Sequence, residues 1–130
     1  MASHAARAGA VLVVDDDRRI TQMLSVVLEG EGYLVQTASD GEEALGRLAG
    51  ASFDAVVTDV RMPRMDGPGF YRALSARHPA MQRRVIFITG DDMNPDTRKF
   101  LATVSAPALH KPFDMDEFLN LVHLAVERAS

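Results

Sequence analysis

The sequence predicts a doubly wound α/β fold, in which a parallel sheet carries helices on both faces. Five short apolar runs recur along the 130 residues, and longer segments with helical spacing separate them. Three of these runs are almost continuous in Val, Ile, Leu and Phe, as strands buried on both faces must be. Strands that alternate with helices across short loops imply right-handed crossovers and therefore a fold of three layers.

The five predicted strands are short. They are "AVLVV" at 10–14, "YLVQTA" at 33–38, "DAVVTD" at 54–59, "RVIFIT" at 84–89 and "PALH" at 107–110. The first, third and fourth are the continuous apolar runs, so we expect them to be buried on both faces.

Two helices are predicted in the first half of the chain. The first keeps five apolar residues at helical spacing, namely Ile20, Met23, Leu24, Val27 and Leu28. It ends at "GEG", residues 30–32, where glycine tolerates a left-handed cap. The second begins near Asp40 and turns Ala44, Leu45 and Leu48 inward.

Three further helices follow. One runs from Pro68 to Arg77 and stops before Pro79. The next begins at "NPD", with Asn94 as the N-cap and a proline and an aspartate in the first turn. The last spans 114–129, and its inward stripe is Met115, Phe118, Leu119, Val122 and Val126. Leu124 is expected on the surface, either as a scattered apolar residue or, with Leu121 beside it, as a contact for a partner.

Composition limits the kind of protein this can be. The net charge is −4, from 14 basic and 18 acidic residues, so direct binding to nucleic acid is not expected. No apolar run approaches the roughly 20 residues of a membrane span, and there is no cysteine for disulfides or thiolate metal sites. We expect a cytoplasmic protein without direct membrane contact. Residues 1–9 are interpreted as a disordered tail or an expression remnant, and 10–130 as one domain.

Polar residues follow the predicted strands where each one ends. Asp15, Asp16 and Asp17 come after the first strand, Asp59 ends the third, Thr89 ends the fourth, and Lys111 follows the fifth. In open α/β sheets the ligand crevice lies beyond these carboxyl ends, so the side chains should converge on one edge.

Gathered carboxylates repel one another unless a hard divalent cation joins them, and oxygen ligands suit Mg²⁺. A lysine and a hydroxyl beside them would neutralise the oxygens of a phosphoryl group, which an aspartate can accept as an acyl phosphate. The sequence therefore predicts phosphoryl chemistry at this edge.

At this point four motifs carry a family resemblance. In order along the chain they are "VLVVDDD", "TDVRMPRMDG", "FITGD" and "HKPF". From Val11 to Arg128 the chain resembles a response-regulator receiver domain of two-component signalling. The resemblance implies a flavodoxin-like sheet in the order 2-1-3-4-5.

The resemblance also implies which partners the domain has. The donor would be a phosphohistidine on a sensor histidine kinase or a histidine phosphotransfer protein, and a weak homodimer is one possible assembly. Such a domain is a switch that catalyses only its own phosphorylation and dephosphorylation.

The resemblance assigns roles to the acidic residues. Asp59 matches the phosphoacceptor, and Asp15 and Asp16 match the acidic pair that binds Mg²⁺. The backbone carbonyl of Arg61 would complete the metal shell. Asp17 occupies a position that varies in the family.

The other assigned positions concern switching. Thr89 matches the hydroxyl that moves toward the acyl phosphate, and Lys111 matches the lysine that is followed by a cis peptide bond, here to Pro112. Arg61 and Asp91 match positions that overhang the acyl phosphate, and their opposite charges predict an ion pair. In the loop after the acceptor, Gly67 is expected to supply a positive φ.

Two departures from the family pattern are visible. Ala108 stands where an aromatic switch residue is usual in the family, so coupling of Thr89 to an aromatic side chain at this position is not expected. The segment from Thr89 to Phe113 looks more like receivers attached to hybrid histidine kinases.

Two alternatives stay open. A small phosphohydrolase of the haloacid-dehalogenase type would use Asp15 as its nucleophile, and a degenerate receiver would serve only for docking. Mapping the phosphorylated residue distinguishes them: Asp59, Asp15 or none.

Overall fold

A parallel sheet forms the centre of the computed structural model, which describes residues 9–90 and 94–128. Its strands lie in the order β2-β1-β3-β4-β5, and every neighbouring pair is parallel. They are β1 Ala10–Val14, β2 Leu34–Ala38, β3 Ala55–Asp59, β4 Val85–Thr89 and β5 Ala108–His110. The predicted fold class and strand order are confirmed. The predicted tail at 1–9 lies outside the described residues except for Gly9, whose carbonyl accepts the N–H of Leu34.

Five α-helices connect or follow these strands. They are α1 Arg18–Gly30, α2 Gly41–Gly50, α3 Gly67–Arg77, α4 Pro95–Thr103 and α5 Met115–Arg128. A 3₁₀ helix at Pro79–Arg84, which the sequence patterns did not indicate, joins α3 to β4. Among the described helices, none combines the length and apolar composition needed to cross a membrane.

Side-chain caps fix where four of the helices begin. The side chains of Asp17, Asp40, Asp66 and Asn94 each accept a backbone N–H from the first turn of the helix that follows. Such caps satisfy N–H groups that have no partner within the helix. At the other end of α1, Gly32 has a φ of 97°, as the left-handed glycine predicted for this helix end requires.

The sheet separates two apolar cores because successive strand residues point to opposite faces. One core joins the sheet to α2 and α3 and includes Leu12, Val14, Val56, Phe70, Leu74 and Phe87. The other joins the sheet to α1 and α5 and includes Val11, Val13, Leu24, Leu28, Ile86, Phe118 and Val122. Helices therefore cover both faces, as the fold requires.

The inward face of α1 differs from the one predicted. Met23 is 42% exposed, whereas Leu24, Leu28 and Thr21 are buried. The centre of the buried face lies along Leu24 and Leu28, and Met23 lies about 100° around the helix from Leu24. Thr21, three residues before Leu24, takes the inward position because its hydroxyl donates to the carbonyl of Arg18 and so remains satisfied.

Candidate functional site

The strand ends bring together a lysine and two buried aspartates. Asp15 follows β1, Asp59 ends β3, and Lys111 follows β5. The Nζ of Lys111 lies 3.1 Å from Oδ2 of Asp15 and 3.4 Å from Oδ2 of Asp59. Parallel strands place their carboxyl ends on one edge, so residues far apart in the chain meet here.

A third carboxylate joins this group. One oxygen from each of Asp15, Asp16 and Asp59 lies within 4.8 Å of the others. Asp15 and Asp59 are buried, whereas Asp16 is exposed, so the cluster is reachable from solvent. An all-oxygen donor set with an open side fits a hard divalent cation such as Mg²⁺, which retains several waters. Asp17 is not in this group, because its carboxylate caps α1 and pairs with Arg19 at 3.2 Å.

The charges in this cluster are out of balance. Burial, and then the negative charge of Asp15, raise the pKa of Asp59 to about 6, although Lys111 and the N–H of Val60 pull it down. Burial works against the charged lysine, but Asp59 and Asp15 raise the pKa of Lys111 above its ordinary value. The buried edge therefore holds more negative charge than Lys111 neutralises, which is the condition that favours cation binding.

Hydrogen bonds from neighbouring residues hold Asp59 in place. The Oδ1 atom of its carboxylate accepts the N–H of Val60 at 2.8 Å, and its backbone carbonyl accepts the hydroxyl of Thr58 at 2.9 Å. The following loop closes where the N–H of Gly67 donates to the carbonyl of Val60 at 2.8 Å. Both carboxylate oxygens of Asp59 therefore have a partner: Oδ1 binds the N–H of Val60, and Oδ2 binds Lys111.

The expectation that Gly67 supplies a positive φ is wrong. In the described residues, positive φ values occur at Gly32 and at Arg64. Glycine is needed at 67 for close approach instead, because a Cβ there would lie 2.8 Å from the carbonyl oxygen of Asp59 and from the Cα of Val60.

Thr89 and Lys111 lie on adjoining strand ends. Thr89 is fully buried at the end of β4, and its carbonyl accepts the N–H of Lys111 at 2.8 Å. The peptide bond from Lys111 to Pro112 is cis, as predicted. Ala108 is half-buried and pairs with Phe87.

Arg61 and Asp91 are the two residues assigned to an ion pair. Arg61 is exposed on the loop after β3, two residues after Asp59. Asp91 lies outside the described residues, so the predicted ion pair between them stays a prediction.

Sequence reasoning missed a set of contacts beside the site. Arg64, in the loop after β3, has a φ of 63°, and its Nε donates to Oδ2 of Asp40 at 2.7 Å. Next to it, the N–H of Gly41 donates to the carbonyl of Met65 at 2.9 Å. Asp40 is recognisable in the sequence as a helix start, but no pattern indicates a partner 24 residues away.

The comparison with protein families decides what kind of domain this is. The model of the response regulator receiver domain matches residues 11–123. The chain belongs to this family. Receiver domains are components of two-component systems, so the chain is a signalling domain.

Similar proteins support the same assignment. The DNA-binding transcriptional regulator NtrC of Salmonella typhimurium is 37% identical over 124 residues, which are 91% of this chain and 25% of that protein. The response regulator MprA of a Mycobacterium species is 37% identical over 120 residues, which are 92% of this chain and 51% of that protein. The chain thus spans between a quarter and about half of these curated relatives.

A solved structure shows the same fold. The beryllofluoride-activated receiver domain dimer of NtrC4 has a TM-score of 0.80 and 38% identity, and the match covers 93% of this chain and 98% of that one. The relatives named here are response regulators, so the likeness to hybrid-kinase receivers finds no support in them and stays a prediction. The family match, which runs through both Asp15 and Asp59, gives no support to a dehalogenase-type phosphohydrolase.

Proposed function

We propose that this receiver accepts a phosphoryl group from a phosphohistidine onto Asp59 in the presence of Mg²⁺, changes conformation, and loses the group by hydrolysis. The observation that carries the proposal is the position of Asp59, which is buried within 3.4 Å of Lys111 and beside two other carboxylates. We assign the receiver domain to residues 10–130.

Each residue of the site has a defined task. A carboxylate oxygen of Asp59 attacks phosphorus, the P–N bond to the donor histidine breaks, and the histidine leaves with the electron pair and is protonated. Lys111 lies close enough to Asp59 for its ammonium group to neutralise an oxygen of the transferring group. Thr89, buried on the neighbouring strand, supplies the hydroxyl that responds to the acyl phosphate.

The metal would be held by Asp15, Asp16, Asp59 and the backbone carbonyl of Arg61. When bound, Mg²⁺ supplies positive charge beside the phosphoryl oxygens. The chain's own contribution is to fix these oxygens at one edge before any ligand arrives, with Lys111 already between Asp15 and Asp59.

The partners follow from this chemistry. The protein donor is a sensor histidine kinase or a histidine phosphotransfer protein, each of which presents a phosphohistidine to Asp59. The beryllofluoride-activated NtrC4 receiver domain, which is similar to this chain, is a dimer, and this supports a weak homodimer here.

Phosphorylation by a small donor tests the proposal. The protein is incubated with acetyl phosphate and Mg²⁺, and intact-mass spectrometry should detect one phosphoryl group that is labile to hydroxylamine. Asp59→Asn should prevent labelling. Asp17→Asn is the matched control, because Asp17 lies outside the carboxylate cluster and asparagine also caps helices.

Borohydride reduction followed by peptide mapping then identifies the labelled residue. Label on Asp59 supports the proposal, label on Asp15 indicates the phosphohydrolase alternative, and no label indicates a domain used only for docking. Labelling that persists in Asp59→Asn would contradict the assigned acceptor.

A further inference from the structure

The loop after β3 is fastened to the beginning of α2 by two neighbouring contacts. Arg64 donates from Nε to Oδ2 of Asp40 at 2.7 Å, and its Nη2 contacts the same oxygen. One residue further along each segment, Gly41 donates its N–H to the carbonyl of Met65. A Cβ on Gly41 would lie 2.8 Å from that carbonyl oxygen, so the contact requires glycine. We call the two contacts, Asp40–Arg64 and Gly41–Met65, the loop clasp.

Asp40 does more than cap its helix. Its Oδ1 accepts the N–H of Glu43 at 2.9 Å, which is all that an N-cap requires and which asparagine or serine would also provide. The second oxygen binds Arg64. The N–H of Glu43, and after it the guanidinium of Arg64, lower the pKa of Asp40, which is 1% exposed. A carboxylate buried this deeply requires a partner for its charge, and the loop supplies it.

The backbone of Arg64 is in an uncommon conformation. Its φ of 63° lies in the left-handed region, which few residues other than glycine adopt. This conformation is held by the side chain's ion pair and by the adjoining Met65–Gly41 hydrogen bond. Backbone outliers that are held in this way cluster at ligand sites.

The segment between Asp59 and the clasp is short. Val60 is fixed at its start, because its N–H donates to Oδ1 of Asp59 and its carbonyl accepts the N–H of Gly67. The clasp fixes the far end at Arg64. Arg61 lies between these two anchors, so its backbone has few conformations left.

We propose that the loop clasp holds this segment so that the carbonyl of Arg61 faces the cation, which makes Asp40 and Arg64 positioning residues for Mg²⁺ binding. The inference rests on the proposed function, because that function assigns the carbonyl to the metal. Neither residue belongs to the group of carboxylates that would hold the metal.

Mg²⁺ affinity, measured by calorimetry on the unphosphorylated protein, tests the proposal. Arg64→Ala and Asp40→Asn should each weaken binding by roughly tenfold, the low end for residues that orient metal ligands. Asp40→Asn keeps a helix cap. Glu42→Gln is the matched control for lost negative charge, because this exposed carboxylate is 4.0 Å from Nε of Arg64. Arg72→Ala is the control for a lost exposed arginine.

A second measurement separates positioning from simple destabilisation. Without metal, amide hydrogen exchange at 60–64 should be faster in both clasp variants than in wild type. The double variant should lose no more Mg²⁺ affinity than either single variant, because both remove one interaction. Arg64→Lys, which keeps the charge, should recover part of the affinity.

Failure of the clasp proposal can be told apart from failure of the proposed function. Unchanged Mg²⁺ affinity in both clasp variants, or an equal loss in Glu42→Gln, would overturn the proposal that the clasp positions the carbonyl of Arg61. If the clasp variants bind Mg²⁺ weakly but wild type is not labelled at Asp59, the clasp stands and the proposed acceptor is wrong. If the wild-type protein binds no Mg²⁺, the proposal that the clasp positions a metal ligand is wrong.

Discussion

Without a cation, the carboxylate cluster should destabilise the fold, and removing one charge should relieve the cost. Asp59 is 8% exposed and lies beside the carboxylates of Asp15 and Asp16. In EDTA at neutral pH, Asp59→Asn should therefore be more stable than wild type. The effect opposes the ordinary expectation that a substitution at a buried polar residue destabilises a protein.

The size and the pH range follow from the pKa of Asp59, which is raised from 3.8 to about 6. Each pKa unit corresponds to about 1.4 kcal/mol, so relief is at most about 3 kcal/mol. This pKa already includes the favourable contact with Lys111, which lowers it, so we expect a gain on the order of 1 to 3 kcal/mol. Between the two pKa values the folded state binds more protons than the unfolded state, so wild-type stability falls as pH rises through this range. The advantage of Asp59→Asn should be complete above about pH 7 and absent below about pH 4.

Urea unfolding in EDTA at several pH values measures this effect. Glu42→Gln, an exposed carboxylate outside the cluster, should show no comparable gain. Added Mg²⁺ should stabilise wild type more than Asp59→Asn, because the cation takes over the neutralisation. Equal or lower stability of Asp59→Asn at neutral pH would refute the electrostatic reasoning.

Three further predictions use other parts of the chain. Alanine at both Arg61 and Asp91 should change the half-life of the acyl phosphate with little change in Tm, since a surface pair contributes only about 0 to 1 kcal/mol; equal half-lives would contradict the predicted pair. Leu124→Glu, at a side chain that is 50% exposed, should leave labelling by acetyl phosphate intact and weaken self-association or transfer from a protein donor. Gly67→Ala should lower the free energy of unfolding by roughly 1 to 3 kcal/mol, because the added methyl group meets the backbone at Asp59, and denaturant titration checks this.

Much of the fold could be predicted because burial leaves a strong pattern in the sequence. The runs that became β1, β3 and β4 are continuous in apolar residues, and the structure buries almost all of them on both faces. Helix starts were visible through Asp40 and Asn94, whose side chains accept first-turn N–H groups as expected. Asp15, Asp16 and Asp59 converge because the carboxyl ends of parallel strands meet at one edge of the sheet.

The rest depends on contacts that no local pattern encodes. The pairing of Arg64 with Asp40 arises where two loops meet, and a positive φ at an arginine has no compositional signal. Gly67 is glycine for lack of space, not for its φ, and only the three-dimensional neighbours reveal which reason applies. Several apolar residues of α1 share one helical pattern. The rotation of the helix about its axis, which the pattern does not fix, determines that Leu24 is buried and Met23 is exposed.

The separation of the two cores affects how substitutions can accumulate in this domain during evolution. Phe87 of β4 packs in the core under α2 and α3, whereas its neighbours Ile86 and Ile88 pack in the core under α1 and α5. Substitutions at distant sites without shared partners combine nearly additively. Helix residues such as Leu74 in one core and Leu28 in the other lie on opposite sides of the sheet, so substitutions there should combine nearly additively. The helices on one face of the sheet can therefore be substituted to bind a new partner without changes to the helices on the other face or to the carboxylates at the strand ends.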